Sequence, residues 1–417
     1  QTSRAVPAHA LVLGELALDG RLKPVRGVLP IALLARSLGC RRMLVPDPNA
    51  SEGAAVREVE IVPCADLREA LRVIEGAPPR QAAPCAGEDQ AERGTELDYA
   101  QVLGQHAAKR AMQIAAAGGH HVIMVGPPGS GKTMLAQRLP SILPPLDDEE
   151  ALEHALIMSV AGARSPAGLR RERPFRAPHH SASDAGLIGG GRGASPGEIT
   201  LAHTGVLFLD ELTEFRRNVL ECLRQPLEDG RVVIARANVS CSYPARFQLV
   251  AAMNPCPCGY AGSPRHACRC SPTAVKRYLA KISGPLIDRI GVYVPVQPVE
   301  PADFDPVGAP GPMHSFEMRE AVRRAALAQG ERFRGLRAVR RNADMPVADL
   351  AGLCGMGREA IDLLSAAQRK LLLSARTRRN VIQVARTISD LEGSVAVEAR
   401  HLAEAIQYRV PRLLEGP

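Results

Sequence analysis

The chain has 417 residues, 46% hydrophobic and 23% charged, with aromatics at 3% and no tryptophan. That length supports two or three domains whose cores rest on Leu, Val, Ile and Ala. No apolar run approaches the roughly 18–20 residues of a membrane helix, which excludes a helical span and a membrane partner. The start, Gln1-Thr2-Ser3-Arg4, has neither an initiator Met nor an apolar signal segment, so a truncated chain is expected. Six of the ten cysteines are scattered and four cluster at Cys256–Cys270. Without an export signal this reads as a cytoplasmic protein with a metal-binding cluster, not as a disulfide framework.

Residues 1–76 carry short apolar runs, Ala10–Leu18 and Arg42–Val45, around a helix-like Leu29–Leu38, and predict a small α/β domain. Residues 77–97 are rich in Pro, Ala, Gly and charge and predict a linker. A helix near Val102–Ala117 precedes the apolar strand His121–Val125, which runs directly into glycines. Over 98–294 apolar strands alternate with helical stretches, as in a parallel sheet with crossovers. Residues 295–318 form a second, Pro-rich linker. The rest, 319–417, has helical periodicity, clearest at Glu359–Leu373 and Val381–Leu391, and predicts a helical lid domain. The net charge of +8 is concentrated there, with 18 Lys and Arg against 11 Asp and Glu. Such a surplus suits a nucleic-acid surface and equally a solvated helical face.

Gly126-Pro127-Pro128-Gly129-Ser130-Gly131-Lys132-Thr133 matches G-x-x-x-x-G-K-[ST] in full, with a strand before it and a helix-forming run after it. The glycines let successive N–H groups turn toward phosphate oxygens. Lys132 supplies a cation for the β- and γ-phosphates of ATP, and Thr133 a hydroxyl ligand for Mg²⁺. Gly205-Val-Leu-Phe-Leu-Asp210-Glu211 is a buried strand ending in two carboxylates. Asp210 is the expected Mg²⁺ partner and Glu211 the residue that activates water. Phe247–Asn254 is another strand, whose terminal Asn254 can hold water or the γ-phosphate without adding charge. Arg289, after the turn Ser283–Asp288, is the candidate for a cation given to a neighbouring subunit's site; a local Asp288 or a surface partner is the alternative. Arg386, within Val381–Leu391, is the candidate second sensor of nucleotide state.

Cys256, Cys258, Cys268 and Cys270 form C-x-C-x₉-C-x-C. Four thiolates can surround a tetrahedral Zn²⁺, with His266 as a substitute ligand. The spacing is tighter than the common knuckle, so reduced cysteines capping a loop remain the alternative.

Pro174–His180, Gly189–Gly191, Pro196–Leu212, Asn254–Gly259 and Ser283–Ile290 together resemble the ComM/YifB family of magnesium-chelatase-like AAA+ ATPases. The resemblance runs through nearly the whole chain. It implies an AAA+ phosphate-loop core with a parallel sheet, a homo-hexameric ring, and a helicase acting on single-stranded and branched DNA. For ComM the implied role is branch migration and strand integration during natural transformation. It also implies an N-terminal α/β domain similar to the Lon and ribosomal S5 fold, of which this chain carries the second half. Gly14–Leu29 resembles the Lon proteolytic domain, but the catalytic Lys of that family falls at Leu29, which cannot deprotonate a nucleophile. An interaction or oligomerisation role is expected instead.

Two features bear on DNA. Lys132 and Asp210 lie 78 positions apart, which predicts an insertion at about 164–200 carrying Arg164, Arg170, Arg171, Arg173 and Arg176. A hairpin is expected near 230–247, placing Arg231, Arg236 and Arg246 to grip phosphates, with subunit salt bridges as the alternative. A chelatase-type remodelling subunit and an ATP-gated scaffold for recombination proteins are the competing functions.

Overall fold

The computed structural model describes residues 10–80, 97–163, 169–191, 194–236, 239–263, 265–299, 311, 313–336, 339–346 and 349–411. Most of the 77–97 linker and the centre of the second linker therefore lie outside the described residues. The chain divides into two compact units: 1–93, 146–172 and 190–196 in one, and 94–145, 173–189 and 197–417 in the other.

In the first unit, Ala10–Val12, Arg42–Pro46 and Glu60–Cys64 form a parallel sheet in that order. The helix Val28–Ser37 buries Val28, Leu29, Ala32 and Ala35 in a core shared with Met43, Val45 and Ile61. Leu29 is thus a packing residue. The helix Asp148–Ala161 also belongs here: Leu152, Ala155 and Leu156 pack on the same core. Its start is set by a reciprocal Asp147/Glu150 capping box. The excursion from the ATPase core therefore differs from the expected 164–200. It begins at Leu146, and 173–189 returns to the second unit.

The second unit is built on a five-stranded sheet. Its order is Val292–Pro295, Val122–Val125, Gln248–Met253, Val206–Leu209, Phe175–Arg176, with every pairing parallel. The three central strands are buried along their whole length and are apolar apart from Gln248, the pattern of a parallel sheet buried on both faces. The strand leading into the phosphate loop lies between the fourth and fifth strands in chain order, so the connections that leave it and leave its neighbour Gln248–Met253 run in opposite directions across the sheet. Ligands of open α/β sheets bind at the C-terminal strand ends beside such a reversal.

The C-terminal region is helical, as expected: Ser315–Arg332, Leu350–Cys354, Arg358–Leu371, Ala375–Leu391 and Ala399–Gln407. Its first helix starts before residue 319 because Ser315 is anchored in the core. Tyr99 N–H donates to Ser315 Oγ at 2.8 Å, and Ser141 Oγ lies 2.8 Å from the same oxygen. Met318, Val322 and Ala325 join Met112, Val122 and Met124 in one apolar cluster. A buried polar network spans the same junction. His120 Nε2 meets Thr387 Oγ1 at 2.8 Å, and Gln329 Nε2 donates to Ala117 O at 3.0 Å. Burial holds His120 neutral, pulling its pKa down to about 3. No helix among the described residues is long and apolar enough to cross a membrane.

Candidate nucleotide site and cysteine cluster

The strand Val122–Val125 delivers Gly126 into a tight place. A Cβ there would stand 2.1 Å from the Val296 carbonyl oxygen, so no other residue fits. Gly129 and Gly131 hold φ of +74° and +90°, which curls the loop ahead of the helix Lys132–Gln137. Lys132 Nζ folds back into this curl and donates to Gly126 O and Pro127 O, each at 2.8 Å, with Asn254 Oδ1 at 3.4 Å. Burial lowers its pKa, against the opposing pull of Asp210 and Glu211. The ammonium therefore sits desolvated against carbonyls of its own loop, where phosphate oxygens are the better partners. Ser130 Oγ is buried and without a hydrogen-bond partner in the same loop. An orphaned donor and a desolvated cation in one loop fit a polyphosphate.

Asp210 and Glu211 leave the C-terminal end of Val206–Leu209. Thr133 Oγ1 donates to Asp210 Oδ2 at 2.7 Å, pairing the hydroxyl and carboxylate expected to share Mg²⁺. Glu211 adopts a left-handed φ of +50°, and its N–H is held by Asp210 Oδ1 at 2.9 Å. Strained backbone of this kind aims a side chain at a functional position. The Glu211 carboxylate is exposed, and Oε2 lies 3.4 Å from His180 Nδ1. His180 lies within the Pro174–His180 motif, where nothing in the sequence marks it as a neighbour of Glu211. Asn254 follows Gln248–Met253. Lys132, Asp210, Glu211 and Asn254 thus converge from three adjacent strand ends.

Arg289 and Arg386 are engaged elsewhere. Arg289 pairs with Glu228 and donates to Pro285 O at 2.5 Å, while its Nε stays buried without a partner. The local partner is therefore Glu228; the neighbouring Asp288 instead faces Arg376 at 3.4 Å. Arg386 corrects the expectation of a sensor. It is 2% exposed and all five of its N–H donors are used. Nε and one Nη bond Asp390 Oδ1 at 3.0 and 2.7 Å, and the rest reach the carbonyls of Cys354, Ser394 and Val395. No donor is left for a phosphate.

The arginines of the expected insertion also hold structure. Arg171 pairs with Asp148 at 2.6 Å. Arg173 donates to Pro144 O and Thr204 O, each at 2.6 Å. Arg176 makes a bidentate pair with Glu198 at 2.6 and 2.7 Å. Arg164 lies outside the described residues. The hairpin is formed by Arg231–Arg236 and Val239–Pro244, antiparallel, with Arg231 opposite Pro244. Val232 and Ile234 are buried on one face, and Arg231 and Val233 are exposed on the other. Arg246 is exposed just beyond it. Arg236 ends the first strand, but its side chain lies outside the described set.

The four cysteines of the motif come together, all sulfurs within 4.8 Å of one another. Cys256 Sγ lies 3.4 Å from Cys258 Sγ, and Cys268 Sγ 3.6 Å from each. A Zn–S bond of about 2.3 Å in a tetrahedron sets sulfurs roughly 3.8 Å apart, so the cluster has the size of a zinc site. N–H groups of Arg269 and Tyr260 draw the Cys258 thiol down to about 6. Cys270, despite an N–H from Cys258, is pushed up to about 12 by desolvation and the neighbouring sulfurs. Packed thiols resist ionising together without a cation among them. The cysteine turn also touches the phosphate loop: a Cβ on Gly259 would stand 2.6 Å from Pro128 Cδ.

Residues 98–304 match the family model "Magnesium chelatase, subunit ChlI" and 312–409 match its C-terminal model. Residues 1–49 match a model described as "Subunit ChlI of Mg-chelatase". Competence protein ComM of Haemophilus influenzae is 41% identical over 411 residues, covering 97% of this chain and 78% of that protein. The uncharacterized protein YifB of Escherichia coli is 39% identical over 415 residues, covering 99% and 79%. The magnesium-chelatase 67 kDa subunit of Chlorobaculum parvum is 26% identical over 207 residues, covering 49% and 27%. With a parallel phosphate-loop core, a helical C-terminal region and this identity over most of both proteins, the chain belongs to the ComM/YifB family of magnesium-chelatase-like AAA+ proteins.

Proposed function

We propose that the chain is an ATP-driven DNA motor that works in the cytoplasm as a homo-hexameric ring, promoting branch migration and strand integration in recombination during natural transformation. The observation that carries the ATPase reading is the convergence of Lys132, Thr133, Asp210, Glu211 and Asn254 at adjacent strand ends. Lys132 trades its loop carbonyls for phosphate oxygens. Thr133 and Asp210 would hold Mg²⁺, which supplies charge neutralisation on the phosphates when bound. Glu211 takes the proton of the attacking water, and Asn254 orients that water. Arg289 exchanges Glu228 for the nucleotide of a neighbouring subunit. The four cysteines would hold a structural zinc ion, which would brace the turn behind the phosphate loop.

The DNA reading is supported by the exposed Arg231 and Arg246 on and beside the hairpin and by the likeness to ComM. Contacts of this kind are to phosphate, so binding weakens steeply with salt and shows slight sequence preference. The test is ATP hydrolysis by the full-length protein with and without single-stranded and forked DNA, alongside strand movement on a three-stranded junction. DNA should stimulate turnover, Arg231→Ala with Arg246→Ala should reduce that stimulation, and strands should move only with hydrolysable ATP. Hydrolysis that ignores every DNA, with no strand movement, would replace the motor by a chelatase-type or scaffold role.

A further inference from the structure

We propose that Gln105 is a positioning residue for the phosphate loop, holding the Ser130 carbonyl outward so that the Gly131 N–H faces a bound polyphosphate. This rests on the reading of Gly126–Thr133 as a polyphosphate cradle. Gln105 stands at the start of the helix His106–Gly118 with a left-handed φ of +55°, directly after Gly104 at +58°. Glycine takes that conformation freely, whereas the Cβ of a glutamine is crowded in it. Backbone of this kind persists only where its surroundings fix it. Here the side-chain amide does so: Nε2 donates to Ser130 O at 3.2 Å and to Gln297 O at 2.5 Å. Both partners are carbonyls, so the nitrogen of the amide must face them.

The two carbonyls lie on opposite sides of the same loop. Its first residue, Gly126, is packed against the Val296 carbonyl, and Val296 N–H donates to Val125 O at 2.9 Å. The bond to Gln297 therefore ties Gln105 to the segment on which the loop begins, and the bond to Ser130 ties it to the residue before the loop's last glycine. A trans peptide is planar, with its C=O and the following N–H pointing opposite ways. Drawing Ser130 O to Gln105 thus turns the Gly131 N–H away from Gln105. That N–H has no acceptor among the described residues, whereas Ser130 N–H is spent on Pro127 O at 3.4 Å. Nor does any side chain cap the helix Lys132–Gln137 that Gly131 opens. An aligned, unused N–H beside the desolvated Lys132 ammonium is a donor for phosphate oxygen.

Nucleotide binding by the full-length protein tests this, with ADP and AMP each displacing a fluorescent ADP analogue. Gln105→Gly accepts the left-handed φ and serves well at a helix start, but it has no amide to offer. Its urea midpoint without nucleotide should stay at or above that of wild type. Its ADP affinity should fall about ten-fold, the loss expected when a hydrogen bond to a charged oxygen is misaligned. AMP, with fewer oxygens in the cradle, should lose no more than about two-fold, so the preference for ADP over AMP narrows about five-fold. Gln105→Glu keeps the length but sets carboxylate oxygens against two carbonyl oxygens, and should lose at least as much ADP affinity. Unaltered ADP affinity in either variant, or equal losses of ADP and AMP, would overturn the proposal. A lowered urea midpoint with the preference for ADP intact would make Gln105 a folding residue only and overturn it as well. The failure of the underlying reading looks different: a wild type that binds no ADP, or a Lys132→Ala that binds it as wild type does, removes the cradle itself. Tight binding by wild type, loss in Lys132→Ala and none in Gln105→Gly sink the Gln105 proposal alone.

Discussion

Arg386 shows how a single side chain can mislead a reading made along the chain. Its helical position is legible, but an Arg among helical residues is expected to face solvent or ligand. Here it is enclosed, and the local sign was Asp390, four residues on and on the same helix face. Asp390 also takes a bidentate pair from Arg332, so one buried carboxylate ties two helices, and Arg386 ties the turn after the second. Arg386→Met leaves Asp390 its pair with Arg332 but takes the donor from the carbonyls of Cys354, Ser394 and Val395. It should therefore cost about 1–3 kcal/mol of stability, read as a lower urea midpoint. A variant of unaltered stability that has lost nucleotide-dependent hydrolysis would restore the sensor role. The nucleotide-binding residues were legible for the opposite reason. Gly126 faces a backbone carbonyl and Gly131 a left-handed φ, and such backbone demands leave a fixed pattern in the sequence. His180 was visible as a residue but not as a neighbour of Glu211, because loops bring that contact together.

Among the elements, long periodic helices and continuous apolar strands were readable, and very short ones were not. Phe175–Arg176 is a two-residue strand with no periodicity to detect, so 173–189 was read as insertion although it belongs to the core unit. The arginines nearby are expected to bear on DNA, whereas Arg173 and Arg176 are committed to carbonyls and to Glu198. The cysteine turn was legible as spacing, but its contact with the phosphate loop was not. Because Gly259 backs Pro128, metal at the four thiols should matter to nucleotide binding. Protein purified without a His tag should carry about one zinc per chain, lost in Cys256→Ser with Cys258→Ser. Affinity for a fluorescent ADP analogue should fall several-fold with the metal. Zinc-free protein, prepared under reducing, chelator-free conditions and binding the analogue normally, would leave the cysteines a packing role only.

At the scale of the molecule, the second unit joins the parallel core and the helical region through one apolar cluster and the His120–Thr387 network. The account stands on hydrolysis of ATP at Lys132, Asp210, Glu211 and Asn254. The most direct measurement is nucleotide affinity together with turnover in wild type, Lys132→Ala and Glu211→Gln. Lys132→Ala should lose tight binding because the phosphates lose their cation. Glu211→Gln should bind ATP as wild type does yet turn it over about 100-fold more slowly or worse, because the cradle survives and water activation does not. Equal loss of ATP binding in both variants, or wild-type turnover by Glu211→Gln, would contradict the account.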